Sequence, residues 1–199
     1  MGQRLVGWRH PHLNGRTSMD SPPPDAYDRV TNPERFAVLH PAARALAEDL
    51  ERRFDVQVER GEGSGGYITG ATLTEYIRLV PTDPAAAPLV IGFTNFPGII
   101  LRVGAWAKVA LPACGCDACN DDPADLLEKL HEHVAATAAG ALTERITVAP
   151  DPWLETHWEG DGWSSGNRGS LSHDALRELR DHPIQPPPGG RWNPWPPRT

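Results

Sequence analysis

The sequence is poor in cations and in long apolar segments, and both shortages limit what the protein can do. Its 19 lysines and arginines are outnumbered by 26 acidic residues, which gives a net charge of −7. Nucleic acids and anionic membranes require clustered cations, so neither is expected as the main partner. No apolar run approaches the roughly 20 residues that cross a bilayer, and this argues against a membrane-spanning helix.

Cysteine is scarce, and the few cysteines are concentrated. The sequence has only three, in the run Cys114-Gly-Cys116-Asp-Ala-Cys119. Three thiols cannot pair off completely, and the spacing of Cys114 and Cys116 is too tight for an unstrained disulfide. A reducing environment is consistent with this usage, so the sequence predicts a cytoplasmic protein.

The first 26 residues are predicted to be a disordered arm. Three arginines and no acidic residue occur among the first 19 residues, a pattern shared with targeting signals. The apolar stretch Leu5–Trp8 is too short for a secretory signal. An over-extended start, with Met19 as the true initiator, is the alternative to an arm.

Residues 27–182 are predicted to form one α+β domain: an antiparallel sheet of about five to seven strands with two or three helices packed on it. Apolar residues four apart predict a helix over 41–54, and a second helix begins at Asp121-Asp122-Pro123 and is closed by Gly140. Alternating polarity and short turns predict strands of an antiparallel meander, with boundaries near 54–59, 69–80, 89–94, 99–103, 105–111, 145–149 and 153–158.

Two finer predictions concern the helices. Thr31 and Glu34 have capping-box spacing around Pro33, which predicts a helix start at that point. His131 and His133 stand two positions apart on their helix, about 200° around its axis, so they cannot share one metal site. Both are expected at the edge or the surface of the helix.

The last segment, residues 183–199, is predicted to be a Pro- and Trp-rich tail packed on the domain. Exposed indoles are unfavourable, so Trp192 and Trp195 are expected to be at least half buried. The prolines reduce the entropic cost of ordering the tail because their φ angles are already fixed.

Three further tryptophans, Trp153, Trp158 and Trp163, precede the tail. Clustered indoles can line a pocket for an apolar, aromatic or sugar-like ligand. The alternative is that these side chains only contribute to packing, and the sequence does not separate the two interpretations.

The cysteine run predicts a metal site. Three thiolates at this spacing converge readily on zinc, the predicted ion, with iron as an alternative. A structural zinc site needs a fourth ligand, for which the candidates are Asp117, Asp121, His157 and His173. Cys119 lies near a helix N-terminus, where the helix dipole favours thiolate.

Three functions are compatible with this site. The first is a zinc-thiolate protein with a binding or interaction role, whose partner is a protein or a small molecule. The second is a metal-dependent enzyme, in which Cys114, Cys116 and Cys119 hold the ion and the fourth position carries water. The third is a thiol redox protein. No His-Glu-x-x-His helix is present to favour zincin chemistry.

The segment Tyr27–Phe36, taken together with Leu111–Cys119, resembles a family of bacterial proteins that is typical of high-GC Gram-positive genomes and defined only as a domain of unknown function. The resemblance covers roughly residues 27–165, and the cysteine run is its most specific motif. It implies no established activity, so no catalytic residue is carried over from it.

Overall fold

The computed structural model describes residues 21–63, 71–148 and 150–199. In these residues three α-helices accompany two antiparallel sheets, which confirms the predicted α+β class. The strands are divided between two sheets instead of joining in one. The first sheet has the order β1-β2-β3-β4-β5, and the second has the order β6-β7-β8. The strands are β1 Val56–Glu62, β2 Leu73–Pro81, β3 Leu89–Thr94, β4 Ile99–Val103, β5 Ala107–Leu111, β6 Leu142–Thr147, β7 Trp153–Gly160 and β8 Trp163–Ser170.

Residues 1–20 of the predicted arm (residues 1–26) lie outside the described residues. At the end of the arm, Pro24–Tyr27 forms a 3-10 turn in which Ala26 is buried. Part of the predicted turn Gly61–Gly66 and the start of the predicted strand at Thr69 also lie outside the described residues.

The first sheet buries one face against the helices. Its strands alternate as period-two segments do, so that Ile77, Leu79, Leu89, Ile91 and Leu101 all point into the core. Each neighbouring pair is antiparallel, and the short hairpins fix the register. None of the helices in the described part of the chain is long and apolar enough to cross a membrane.

The predicted helix start at Thr31 is wrong in its detail. Asn32, in a left-handed conformation, precedes a 3-10 helix at Pro33–Val38, and no side chain caps it. The helix α1 then covers Leu39–Arg53. Pro41 does not delay this helix, because proline is tolerated within the first turn, where its missing N–H is not needed.

The helix α2 covers Pro123–Ala138 and begins as its sequence predicts. Asp122 is the N-cap, and its carboxylate accepts a hydrogen bond from the backbone N–H of Ala124. The helix lies between α1 and β7. His133 is therefore buried, only 6 % exposed, and the prediction of an edge or surface position is wrong for this residue. His131 is exposed.

The tail connects the two sheets. Trp192 and Trp195, expected to be at least half buried, are 2 % and 3 % exposed. Trp195 donates its indole N–H to the carbonyl of Ala87 and its backbone N–H to that of Ala138. The short helix α3, His173–Arg180, precedes the tail and is capped by Ser172.

Glu144 joins the tail to both sheets. It lies on β6 with its side chain fully buried. Its carboxylate accepts hydrogen bonds from the backbone N–H groups of Ala105, Trp106 and Ala107 in the β4–β5 hairpin, and from the indole N–H of Trp192. The four donors occupy both oxygens, so the charge is satisfied without a cation.

Candidate metal centre

The three cysteines lie on the loop that connects β5 to α2. Gly115 lets this loop turn between Cys114 and Cys116, because its φ is +79° and a Cβ atom there would lie 2.7 Å from the ring of Phe96. The loop therefore depends on glycine at this position, and the turn aims the flanking thiols toward a common point.

The three thiols converge. Their sulfur atoms all lie within 4.8 Å of one another, and the Sγ atoms of Cys116 and Cys119 are 3.4 Å apart. The backbone N–H of Cys116 also points at the Cys114 sulfur, at 3.4 Å. Cys116 is buried, Cys114 is partly buried and Cys119 is exposed, and none of them forms a disulfide. The group thus has one side in the protein and one side toward solvent.

The thiols influence one another's protonation. Hydrogen bonding from Cys114, followed by that from the backbone of Cys119, lowers the pKa of the Cys116 thiol. Hydrogen bonds to Cys116 and then to Cys114 raise the pKa of the Cys119 thiol to about 12. The cluster therefore favours one thiolate, at Cys116, and disfavours a second thiolate at Cys119. A bound cation removes that resistance, because a coordinating thiol is deprotonated.

Asp117, one of the predicted fourth ligands, already has partners. Its carboxylate accepts hydrogen bonds from Arg29 Nε at 2.8 Å, from the Thr31 backbone N–H at 2.6 Å and from Thr31 Oγ1 at 2.7 Å. These donors, with Arg29 the largest influence, lower the pKa of Asp117 to about 2. Two backbone bonds, from Asp117 to Arg29 and from Ala118 to Ala26, extend the contact. The residue therefore clamps the cysteine loop to the segment before α1.

The other predicted fourth ligands do not join the thiols. In the described ranges, the group of close metal-binding side chains consists of the three cysteines alone. Asp121 follows them on the loop, His157 lies on β7 beside Glu159, and His173 begins α3. The donor set is therefore a three-thiol one, which suits a thiophilic cation such as zinc.

Sequence reasoning missed Arg29 and Thr31 as partners of the loop. They are 88 and 86 residues away from Asp117, and no local pattern links positions that far apart. In the sequence, an Asp between two cysteines can equally be a metal ligand or a residue that holds the loop in place. Only the fold distinguishes these two roles.

The three tryptophans of the predicted ligand pocket are not gathered in one place. Trp158 is buried, donates to Thr137 Oγ1 and packs on His133, and Trp163 packs on the same imidazole. Trp153 lies on the face of β7 opposite to Trp158, because these two residues are an odd number of positions apart on the strand. It stacks with Arg168 beside a separate cavity of about 490 Å³.

The residues Gly162–Gly166 match the Gly-x-Ser-x-Gly pattern of hydrolase nucleophiles. They form the turn and first part of β8 in the β7–β8 hairpin, with Ser164 exposed. A nucleophile elbow requires a sharp turn from a strand into a helix, so the match carries no catalytic meaning here.

Comparison with known proteins gives a family and no activity. No curated protein and no solved structure shows significant similarity to the chain. A family model described as "Family of unknown function (DUF6226)" matches residues 2–199, which is nearly the whole sequence. The match confirms the predicted resemblance to a family of unknown function and extends its range from roughly 27–165 to 2–199. The chain belongs to this family.

Proposed function

We propose that the protein binds one zinc ion through Cys114, Cys116 and Cys119 and has a binding or interaction role. The observation that carries the proposal is the convergence of three free thiols within 4.8 Å. Three thiolates favour a soft or borderline cation over magnesium or calcium, which prefer oxygen ligands. A cytoplasmic location and the high-GC Gram-positive origin implied by the resemblance belong to the same proposal.

The ion would stabilise a junction. The loop follows β5, precedes α2 and is clamped by Asp117 to Arg29 and Thr31. Metal bound by the loop would fix all three of these segments relative to one another. Such binding contributes directly to the folding free energy, since the unfolded chain has no preformed site. This placement supports a structural or interaction role for the metal.

The fourth coordination position is the feature that separates binding from catalysis. Catalytic zinc has three protein ligands and a water, and it acts with a neighbouring acid or base. Cys119 is exposed, so a fourth ligand can approach from solvent. Among the residues that the structure describes, no histidine or carboxylate joins the cysteine group. A binding role, with a partner protein or small molecule supplying the fourth ligand, is therefore the better supported function.

A thiol redox function is the second candidate, and one distance favours it. The sulfurs of Cys116 and Cys119 are 3.4 Å apart, and a disulfide bond of about 2.05 Å requires only a small movement. The two functions differ in the state of the purified protein. A zinc protein retains its metal, whereas a redox protein is metal-free and cycles between dithiol and disulfide.

Metal analysis of untagged protein, purified under reducing conditions, tests the proposal. We expect close to one zinc ion per chain, and Cys116→Ser should lose most of it while the neighbouring control Ala113→Ser keeps it. Asp117→Asn should also keep its metal, because Asp117 serves as a clamp and not as a ligand. Less than about 0.2 zinc or iron per wild-type chain would refute the proposal, since thiolate sites normally retain their metal.

Cobalt substitution then reports the ligand set. Thiolate-to-cobalt absorption is expected in the wild type and should weaken in each cysteine variant. A change of the spectrum on addition of imidazole would indicate an open fourth position, and an unchanged spectrum a closed site. Metal-free wild-type protein that forms a reversible Cys116–Cys119 disulfide would instead favour the redox function.

A further inference from the structure

A row of cations crosses the face of the first sheet that points away from α1 and α2. In the strand register Arg78 pairs with Val90, Val90 with Arg102, and Arg102 with Lys108. Residues paired in this way lie side by side on one face, with about 4.8 Å between neighbouring strands. Three of the protein's 19 basic residues therefore share one line, although its net charge is −7.

This row brings like charges together on neighbouring strands. Arg102 and Lys108 are directly opposite each other, and like charges in that position destabilise a sheet. Arg78 has a partner, Glu59, at 3.5 Å. Arg102 has no ion pair with any residue in the described ranges. Arg102 therefore presents a positive charge that pairs with no carboxylate of the described residues, and such a charge is suited to an anion.

The row forms one wall of a cavity of about 700 Å³. The opposite wall comes from α3 and the residues after it, including Leu179, His182 and Ile184. Val90, Leu179 and Ile184 give the cavity an apolar surface beside the cations, and Glu178 is the acidic residue of the lining. This volume lies within the range of ligand pockets, about 300–1,000 Å³, and the mixture of an apolar wall with a few charges is typical of them.

An unpartnered donor lies in the same lining. The indole N–H of Trp106 is buried and has no acceptor among the residues that the structure describes. A buried N–H without an acceptor is unfavourable, and most buried polar groups in proteins are satisfied. An acceptor on a bound ligand would satisfy this donor.

We propose that this cavity is a binding site for a small organic anion, in which Arg102 holds a phosphate-type group and the apolar part lies against Val90, Leu179 and Ile184. Lys108 adds a second positive charge beside Arg102. Arginine suits this role because its planar guanidinium donates two parallel hydrogen bonds to such a group. The Trp106 indole N–H adds a neutral donor once the ring adjusts to the bound acceptor. The site is independent of the cysteines and goes beyond the metal-binding function.

The Trp106 indole signal in a ¹⁵N–¹H spectrum of the full chain is a direct reporter, assigned by its loss in Trp106→Phe. The probe is 1-naphthyl phosphate, and 1-naphthol is its uncharged counterpart. We expect the phosphate ester to shift the Trp106 signal saturably, and 1-naphthol to bind at least tenfold more weakly. Arg102→Gln should weaken the binding of 1-naphthyl phosphate about tenfold, and excess inorganic phosphate should compete.

Arg60→Gln is the matched control, because it removes the same charge from the same sheet but outside the cavity, where Arg60 pairs with Glu51. It should leave the affinity within about twofold. If Arg60→Gln and Arg102→Gln weaken the binding of 1-naphthyl phosphate equally, the effect comes from the overall charge of the protein and the proposal is overturned. The absence of a saturable Trp106 shift, or equal binding of 1-naphthol, would overturn it as well. None of these results depends on the metal content of the protein.

Discussion

Glu144 shows how one side chain can organise several parts of a fold. Burial raises the pKa of its carboxyl, and the hydrogen bonds from Ala105, Trp106, Trp192 and Ala107 oppose that rise. All four partners donate, so the ionised carboxylate, which only accepts, matches them better than any form that carries a proton. The hairpin at Gly104 is adapted to this carboxylate, since a Cβ atom there would lie 2.3 Å from an oxygen of Glu144.

Glu144→Gln is expected to lower the free energy of unfolding by about 3 kcal/mol, because it leaves buried donors unsatisfied. The amide NH₂ group would face two donors and leave them without an acceptor, which costs more than the loss of one hydrogen bond. Urea denaturation measures the change, and Glu128→Gln, at an exposed position of α2, is the matched control. A loss below about 0.5 kcal/mol, the range of ordinary surface substitutions, would show that the four bonds contribute little.

This residue was within reach of the sequence. The strand predicted near 145–149 begins one residue too late to include it, although Leu142, Glu144 and Ile146 alternate with polar positions and place a carboxylate on the apolar side of β6. Its donors could not be identified, because they come from a hairpin 37 to 39 residues earlier and from a tail 48 residues later. The cysteines illustrate the same limit: their run predicts the site, and only the fold reveals how Asp117 is engaged.

Local signals predict the helices and the hairpins of the first sheet, but they predict no strand over Trp163–Ser170 and do not show how the strands assemble into sheets. The Asp122-Pro123 cap and the apolar stripe define α2, and the Asn95–Gly98 turn lies between β3 and β4 as expected. Short turns predict which strands pair within a meander. They give no information on whether the strands before and after α2 belong to one sheet. In the structure β5 belongs to the first sheet and β6 to the second.

The packing of α2 against the second sheet depends on His133. Its ring is in contact with Trp158 and Trp163, its Nδ1 donates to the carbonyl of Lys129, and its Nε2 faces the Ser165 hydroxyl at 3.3 Å. Burial lowers the pKa of His133, with Lys129 and Glu132 as the charged neighbours that act in opposite directions. The folded protein therefore favours the neutral imidazole.

The sign of the resulting pH dependence follows directly. An unfolded histidine takes up a proton near pH 6.5, whereas His133 in the folded protein does so only at lower pH. The unfolded state binds more protons in that window, so the free energy of unfolding falls as the pH drops below about 6.5. In urea denaturation, the free energy of unfolding should fall less between pH 7.5 and pH 5.5 for His133→Gln than for the wild type.

His131→Gln, two positions away on the same helix and exposed, is the control and should retain the full pH dependence. If His133→Gln and the wild type lose the same amount of stability on acidification, the imidazole is not the titrating group.

The molecule as a whole depends on its last residues. The tail forms a parallel bridge between Ala86 and Asn193 beside the first sheet and an antiparallel bridge between Thr143 and Arg191 on the second. Gly140, with a φ of +71°, allows the tail to pass close to the end of α2, since a Cβ atom there would lie 2.4 Å from the backbone of Pro194.

Truncation after Asp181 is expected to abolish cooperative folding. The two lost indoles bury about 400 Å² of largely apolar surface, or about 10 kcal/mol at 25 cal/mol per Å², which is comparable with the stability of an entire domain. The single change Trp195→Ala should cost about 4 kcal/mol and lower the melting temperature in a thermal scan.

Arg191→Ala, an exposed position of the same tail, should leave the melting temperature nearly unchanged. Unaltered melting of the truncated protein would mean that the tail is not part of the core.

The position of these two indoles also determines when the chain can fold during its synthesis. Residues 192 and 195 leave the ribosome after every strand and helix described above, yet both are buried in the core that those elements form. Domains generally fold as units, so a nascent chain of this protein holds an incomplete core until translation has passed Trp195. A translation product that ends earlier would expose the apolar surface left by the indoles, and would be removed by chaperones and proteases.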